Sequence, residues 1–238
     1  MLIAILWGGL AAASLLVGFY LASRGLSNRT IGVIMGFGAG ALLSALAYEL
    51  VPESALGGGF MGIAFFLGAL TFFGADRWVD RRGGADRKDI AGEQKGSGSA
   101  IFIGTLLDNI PESIVLGMGL VLGGAINLAF LVAVFISNLP EGVAGTLNLA
   151  SAGRSRRTIF WMWLMLVIIS AACAGLGYII VTLLPGANGR IAQAFAAGAM
   201  LTMLADAMMP EAFEHGGKLV GIMTVMGFLV AAILAVMQ

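Results

Sequence analysis

The chain has 238 residues, of which 59% are hydrophobic and only 11% are charged, with 13 basic and 13 acidic residues in balance. Soluble domains carry about 25% charged residues, so the composition excludes a soluble globular protein and indicates a polytopic membrane protein. We expect no nucleic-acid partner, although the zero net charge alone says nothing about one. The single cysteine, Cys173, excludes an internal disulfide.

Apolar runs of about 20 residues, the length that crosses a bilayer, predict an all-α protein. The predicted transmembrane helices are 2–22, 30–51, 58–76, 101–122, 126–149, 158–184, 190–210 and 217–237. The hydrophilic stretch 76–100 carries charges of both signs and ends in Gly and Ser, which predicts a flexible loop. The expected single domain, 1–238, therefore consists of helices 1–3 (1–75), the loop, helices 4 and 5 (101–150) and helices 6–8 (158–238).

Basic residues predict the orientation. If the amino terminus lies outside, all of the 13 Lys and Arg residues except Arg190 lie on the inner side. Cytoplasmic loops of membrane proteins carry such an excess. We therefore predict a multi-pass protein of the cytoplasmic (inner) cell membrane, with both termini outside and the 76–100 loop in the cytoplasm.

A weak internal repeat relates the second and seventh predicted helices. A shift of 158 residues aligns 40–47 with 198–205, and the Pro-Glu pair at 52–53 with the Pro-Glu pair at 210–211. The two helices would run in opposite directions. This predicts an inverted repeat in a 3+2+3 arrangement, with helices 1–3 and 6–8 around helices 4 and 5, as in alternating-access transporters. Chance similarity of two Ala- and Gly-rich helices is the alternative.

Helices 4 and 5 each carry an Asn-x-Pro-Glu motif, at 108–113 and 137–142. A charged side chain at the bilayer centre costs at least about 2.5–3.5 kcal/mol. The carboxylates of Asp108, Glu112 and Glu141 therefore need a compensating interaction. A bound cation is the simplest one.

Helical spacing groups the polar residues of each motif on a common face. The candidate metal ligands are Asp108, Asn109, Glu112, Ser137, Asn138 and Glu141. The prolines within both motifs lack an N–H, so each frees one helical carbonyl. Such an oxygen-rich set suits a hard divalent cation. The alternative is a structural network of hydrogen-bonded, protonated acids that locks the two helices together.

Three further acids are candidate pathway residues. Glu49 lies near the predicted outer end of helix 2, while Asp206 and Glu211 lie in the inner half of helix 7. By the repeat, they could mark an entrance and an exit for the transported ion.

The chain resembles the ZIP (Zrt/Irt-like) divalent metal transporters. The resemblance rests on eight helices, external termini, a charged loop between helices 3 and 4, and the motifs at 108–113 and 137–142. It implies a transport site, often binuclear, within helices 4 and 5. The metal-binding role carries over most directly to Asn109, Glu112 and Glu141.

The chain departs from the ZIP pattern at several positions. The family's helix-4 motif usually begins with His, where this chain has Asp108, and Gly after the motif's Glu is Ser113 here. Helix 5 usually offers His or Gln followed by Asp or Asn, where this chain has Ser137 and Asn138. The acid that some prokaryotic members place in helix 6 is missing from 158–184. These departures put a second metal position and a zinc preference in question.

We therefore predict a transporter that moves divalent metal cations of the Zn, Mn or Fe type into the cytoplasm. Its expected partners are membrane lipid and the transported ions, with no resident cofactor, and a homodimer is left open. No nucleophile with an adjacent base and no nucleotide-binding motif is recognisable, so we expect no enzyme activity. The alternatives are a proton-coupled carrier of a small organic solute and a non-transporting ZIP-like membrane protein.

Overall fold

The computed structural model describes residues 1–51, 59–84, 98–124, 127–184 and 187–237. Within these ranges the structure consists of helices joined by short turns and contains no strand. Eight helices are long and apolar enough to cross a membrane, which confirms the all-α fold of a multi-pass membrane protein. They are α1 (Leu2–Arg24), α2 (Asn28–Tyr48), α3 (Gly59–Gly83), α4 (Gly98–Leu122), α5 (Leu128–Ser151), α6 (Arg156–Leu183), α7 (Gly189–Gly216) and α8 (Leu219–Val236).

Polar caps set where three of these helices begin. Asn127 immediately precedes α5, and its side-chain oxygen accepts a hydrogen bond from the Phe130 backbone N–H at 2.8 Å. Ser155 caps α6 in the same way, by accepting from the Thr158 backbone N–H at 3.2 Å. Ser27 does so before α2. Each cap satisfies a backbone donor that the first helical turn leaves without a partner.

The predicted loop 76–100 is wrong at both ends. The third helix continues through a π-helical turn, Asp80–Gly84, and α4 already begins at Gly98. In this part of the helix Asp76 is buried, and the Arg82 guanidinium lies 3.9 Å above the Trp78 ring, one turn earlier, in a cation–π arrangement. Residues 85–97 of the predicted loop lie outside the described part of the chain.

Two π-helical turns interrupt the helices that the sequence repeat relates. One, Leu46–Leu50, follows the α-helical part of α2, and the other, Leu204–Met208, lies within α7. They are separated by 158 residues, the shift that aligns the two sequences. The final part of α7, Met209–Gly216, has a proline in its first turn, where the missing N–H costs little. This helix therefore extends beyond its predicted end at residue 210.

The helices differ in how much of their surface is inside the protein. In their most apolar stretches, 67% of α4 and 72% of α5 is buried, against 22% of α3 and 17% of α8. Helix α5 packs against α1, α2 and α4, α3 packs on α7, α8 on α2, and α6 on α1 and α4. The two helices that carry the Asn-x-Pro-Glu motifs are therefore interior helices.

Glycines bring α3 and α7 into backbone contact. A Cβ added at Gly68 would overlap the carbonyl oxygen of Phe195, and one at Gly198 would overlap that of Phe65. Small residues allow such close approach of membrane helices, where van der Waals packing supplies much of the attraction. The contact therefore depends on the missing side chains at these two positions.

We expect Gly68→Ala to lower the free energy of unfolding by about 1–3 kcal/mol, because the added methyl overfills the contact with α7. The matched control is Gly62→Ala on the same helix, where a Cβ meets nothing within 4 Å. It should be neutral, or stabilise by up to about 1 kcal/mol through helix propensity. Unfolding of both variants in detergent micelles measures the difference. Equal stability of the two would contradict the described contact.

Candidate functional site

All six predicted ligands are buried between membrane-spanning helices. None is more than 2% exposed, and they are Asp108, Asn109, Glu112, Ser137, Asn138 and Glu141. Their helices continue through the prolines at 111 and 140 without a break. The motifs therefore face the interior of the protein, where a polar group needs a partner.

Helix α4 has two faces of opposite character. Its polar residues follow one stripe at i, i+3, i+4 and i+7, consisting of Thr105, Asp108, Asn109 and Glu112. The opposite stripe lines an apolar groove of about 740 Å³ between α3, α4, α6 and α7, and includes Leu107, Ile110, Pro111, Ile114 and Met118. The acids of α4 therefore lie on the side away from this groove.

The corresponding stripe on α5 borders α4. Asn138, Glu141 and Gly145 are spaced i, i+3 and i+7, so they share one side of the helix. An added Cβ at Gly145 would lie 2.7 Å from the Trp163 ring of α6 and 3.9 Å from the hydroxyl oxygen of Thr105 on α4. At Gly145 the stripe therefore borders both α6 and α4.

The contact of Gly145 with Thr105 sets the relative register of the two helices, which form a hairpin and so run antiparallel. Counting four residues forward from Thr105 on α4 and four residues back from Gly145 on α5 places Asn109 at the level of Glu141. Counting seven residues in the same directions from Thr105 and Gly145 places Glu112 at the level of Asn138. Because both helices rise by about 1.5 Å per residue, the glutamate of each motif lies at the level of the asparagine of the other.

The two amides differ in their hydrogen bonds. Asn109 Nδ2 donates to the carbonyl oxygen of Thr105 at 3.0 Å, within its own helix. Neither Nδ2 nor Oδ1 of Asn138 has a hydrogen-bond partner among the residues that the structure describes, although both atoms are buried. A buried polar group left in this state costs about 1–3 kcal/mol. Of these two asparagine side chains, Asn138 would therefore gain more from a bound ligand.

Ser137 lies at one edge of the motif stripe of α5, about 40° around the helix from Glu141. Its hydroxyl donates to the carbonyl oxygen of Val134 at 2.9 Å. A Cβ added at Gly38 of α2 would lie only 2.8 Å from the Ser137 Cα atom. The structure thus brings Ser137 to the contact with α2, about 80° around the helix from Gly145 by the helical period of 3.6 residues.

Two threonines that were not predicted belong to the surroundings of the site. Thr105 continues the polar stripe of α4 and donates to the carbonyl oxygen of Ile101 at 3.1 Å. Thr146 accepts a hydrogen bond from Trp163 Nε1 at 2.9 Å and donates to the carbonyl oxygen of Gly142 at 2.6 Å, which ties α6 to α5. The sequence could have indicated Thr105, because its spacing of four residues from Asn109 and seven from Glu112 puts it on the same face of α4.

The acids alone do not assemble a metal centre. Over the described ranges, no three side chains among His, Cys, Asp and Glu form a group that could hold a metal ion. A cation between α4 and α5 would therefore use the neutral amide oxygens of Asn109 and Asn138 together with carboxylates. Amide and carboxylate oxygens are both ordinary ligands of hard divalent cations.

The predicted pathway residues Asp206 and Glu211 differ in how far they are buried. Asp206 is exposed on α7. Glu211 is largely buried, and its Oε1 lies 3.0 Å from His215 Nδ1, one turn along the helix. The side chain of Glu49 lies outside the described part of the structure. The acids of α7 therefore do not form a shared interior path with one another.

The fold and the site together define a helical multi-pass membrane protein with a buried polar pair of helices at its centre. No protein-family model matches the chain, and no curated protein matches it. What the buried pair does must therefore be decided from the chemistry of its own residues.

We expect Asn138→Leu to leave the metal-free protein as stable as the wild type, or to stabilise it by about 1 kcal/mol, because an unbonded buried carboxamide is removed. Asn127→Ala is the matched control on the same helix, since this variant loses a cap worth about 1 kcal/mol. Thermal unfolding with a metal chelator present compares them. A larger loss for Asn138→Leu than for Asn127→Ala would show that the Asn138 amide is structural.

Proposed function

We propose that this protein transports divalent metal cations into the cytoplasm through a site between α4 and α5. The observation that carries the proposal is that Glu112 lies at the level of Asn138, and Glu141 at the level of Asn109, with all four side chains buried in α4 and α5. Intramembrane ionisable residues of this kind mark ion pathways more often than structural contacts.

A cation offsets two costs at once. It compensates the burial of the carboxylates, about 2.5–3.5 kcal/mol each at the bilayer centre. It also gives a partner to the Asn138 amide oxygen, which has none among the residues that the structure describes. Because every side-chain donor here is oxygen, the site favours harder ions such as Mn²⁺ over zinc, which usually takes imidazole or thiolate ligands.

The architecture we propose is the 3+2+3 inverted repeat, with α1–α3 and α6–α8 as opposite halves around α4 and α5. The matching π-helical turns of α2 and α7 support it. So do the close contacts: a Cβ at Gly40 would overlap the carbonyl oxygen of Thr224 on α8, and one at Gly198, 158 residues later, would overlap that of Phe65 on α3. Such repeats support alternating access to a central site.

The resemblance to ZIP transporters belongs to the same proposal. Asn109, Glu112 and Glu141 occupy the motif positions that bind metal in that family, and all three are buried on the facing stripes. Asp108 replaces the family's His by a further oxygen donor. The contact of Ser137 with α2 gives its ligand role no support, so we centre the site on the acids and amides.

A non-transporting ZIP-like protein is the second candidate, and one observation favours it. The acids do not gather into a three-membered metal group in the described structure. In this case the buried pair would only hold α4 and α5 together. A proton-coupled carrier of an organic solute, the third alternative, would work without any divalent ion.

We expect Glu112→Ala to abolish uptake of Mn²⁺ and Zn²⁺ into proteoliposomes while the protein still folds, because the variant removes a buried acid at the level of Asn138. Asp76→Asn is the matched control, since Asp76 is a buried acid of α3 outside the motifs. It should retain uptake. Normal uptake by Glu112→Ala would make the pair structural, and wild-type protein that moves neither ion would favour the non-transporting protein or the solute carrier.

Ion preference tests the role of Asp108. Asp108→His adds a nitrogen ligand and removes one negative charge, so the ratio of Zn²⁺ to Mn²⁺ uptake should rise even if total uptake falls. Competition between the two ions in proteoliposomes measures the ratio. If the ratio stays constant or falls, Asp108 does not contact the ion.

We propose that the termini lie outside and that the segment between α3 and α4 is cytoplasmic, on the bias of Lys and Arg. Position 97 lies in this segment, outside the described residues. In a Cys173→Ser background, Ser97→Cys should react with a membrane-impermeant maleimide only in opened cells or inverted vesicles. Labelling in intact cells would reverse the orientation and the direction of uptake.

A further inference from the structure

A second candidate binding site lies where α1 and α5 end and α6 begins. A pocket of about 200 Å³ opens between these helix ends. Two arginines of the α5–α6 region, Arg154 and Arg156, line it. Because the helices are membrane-spanning, their ends place this pocket at the boundary between lipid and water.

The pocket joins basic groups to an apolar floor. The floor includes Phe19 and Ile159, which are 4% and 2% exposed. The guanidinium carbon of Arg156 lies 5.2 Å from the centre of the Phe19 ring, a cation–π arrangement that orients the side chain. Arg154 packs against Gly98 of α4, where an added Cβ would lie 2.7 Å from the arginine Nε atom.

The hydroxyl groups of the pocket do not supply donors to a ligand. The Ser23 hydroxyl donates to the carbonyl oxygen of Tyr20 at 2.7 Å, and the Thr146 hydroxyl donates to that of Gly142. The other donors among the lining side chains are the two guanidinium groups, and no lining residue is acidic. The chemistry therefore selects a ligand that is anionic and rich in acceptor oxygens.

We propose that this pocket binds the headgroup phosphate of an anionic membrane phospholipid. Guanidinium groups match phosphate oxygens in charge and geometry. The adjoining apolar floor and the exposed apolar helix surfaces accommodate the glycerol and acyl chains, which a free phosphate does not need. In the proposed orientation the pocket faces the cytoplasmic leaflet, where anionic lipids attract basic residues near the membrane. The bound lipid would pack against both the α5–α6 connection and the end of α1.

The test uses the full-length protein, delipidated in an uncharged detergent. The probes are phosphatidylglycerol, phosphatidylcholine and inorganic phosphate, and the readouts are the unfolding temperature and the lipids retained in native mass spectrometry. Phosphatidylglycerol should be retained and should raise the unfolding temperature above the value with phosphatidylcholine. Inorganic phosphate should have no such effect.

Two variants separate the pocket from general surface attraction. Arg156→Gln should weaken phosphatidylglycerol binding roughly fivefold. Arg157→Gln, the matched control, removes an exposed neighbouring charge that does not line the pocket and should change binding less than twofold. Ala150→Trp, which fills the pocket without altering charge, should also remove the preference for phosphatidylglycerol.

Three outcomes would overturn the proposal. Equal losses in Arg156→Gln and Arg157→Gln would show that the lipid responds only to surface charge. Full binding by Ala150→Trp would place the lipid elsewhere. Stabilisation by inorganic phosphate as strong as that by the lipid would make this a site for free phosphate instead of a membrane lipid.

Discussion

The burial of carboxylates and carboxamides between two apolar helices is the constraint on which the rest of the structure depends. Glu112 and Glu141 are almost completely removed from solvent, and so are the asparagines at their level. In an apolar environment such groups cost several kcal/mol unless they are paired with each other or with an ion. The facing stripes of α4 and α5 concentrate these groups in one place, so that one bound cation can compensate several of them.

The surrounding helices hold that pair in position through backbone contacts between small residues. Helix α1 reaches α5 at Gly18 and Gly142, where a Cβ on either residue would come within 2.6 Å of a carbonyl oxygen. Helix α2 reaches the other side of α5 at Gly38, and α6 is tied to it by the buried bond between Trp163 and Thr146. The peripheral helices present apolar side chains outward, as lipid requires. The core can therefore be polar because the outer helices exclude both water and lipid from it.

Most of the fold could be predicted because apolar length and helix capping are local properties. The predicted bounds of the loop between α3 and α4 are too wide. Composition alone cannot show that the Arg82 guanidinium stacks on the Trp78 ring within a continuing helix. Burial of the motifs also followed from their residue types. Their relative register did not, since spacing within one helix says nothing about how far it slides along its neighbour. The contact of Thr105 with Gly145 supplies that information.

Ser137 illustrates the same limit. Its spacing from Glu141 predicts a shared face, yet the close approach of Gly38 from α2 turns this edge of α5 into a helix–helix contact. Helical periodicity gives each residue a direction, while the identity of the neighbour in that direction is a property of the whole fold.

The most direct measurement of the central claim is Mn²⁺ binding by electron paramagnetic resonance to a variant in which acid and amide exchange helices. Glu112→Asn alone should lose Mn²⁺ binding. The double variant Glu112→Asn with Asn138→Glu returns the carboxylate at the same level from the opposite helix and should regain a substantial part of it. A double variant that binds Mn²⁺ no better than Glu112→Asn would contradict the facing of Glu112 and Asn138 around a common cation.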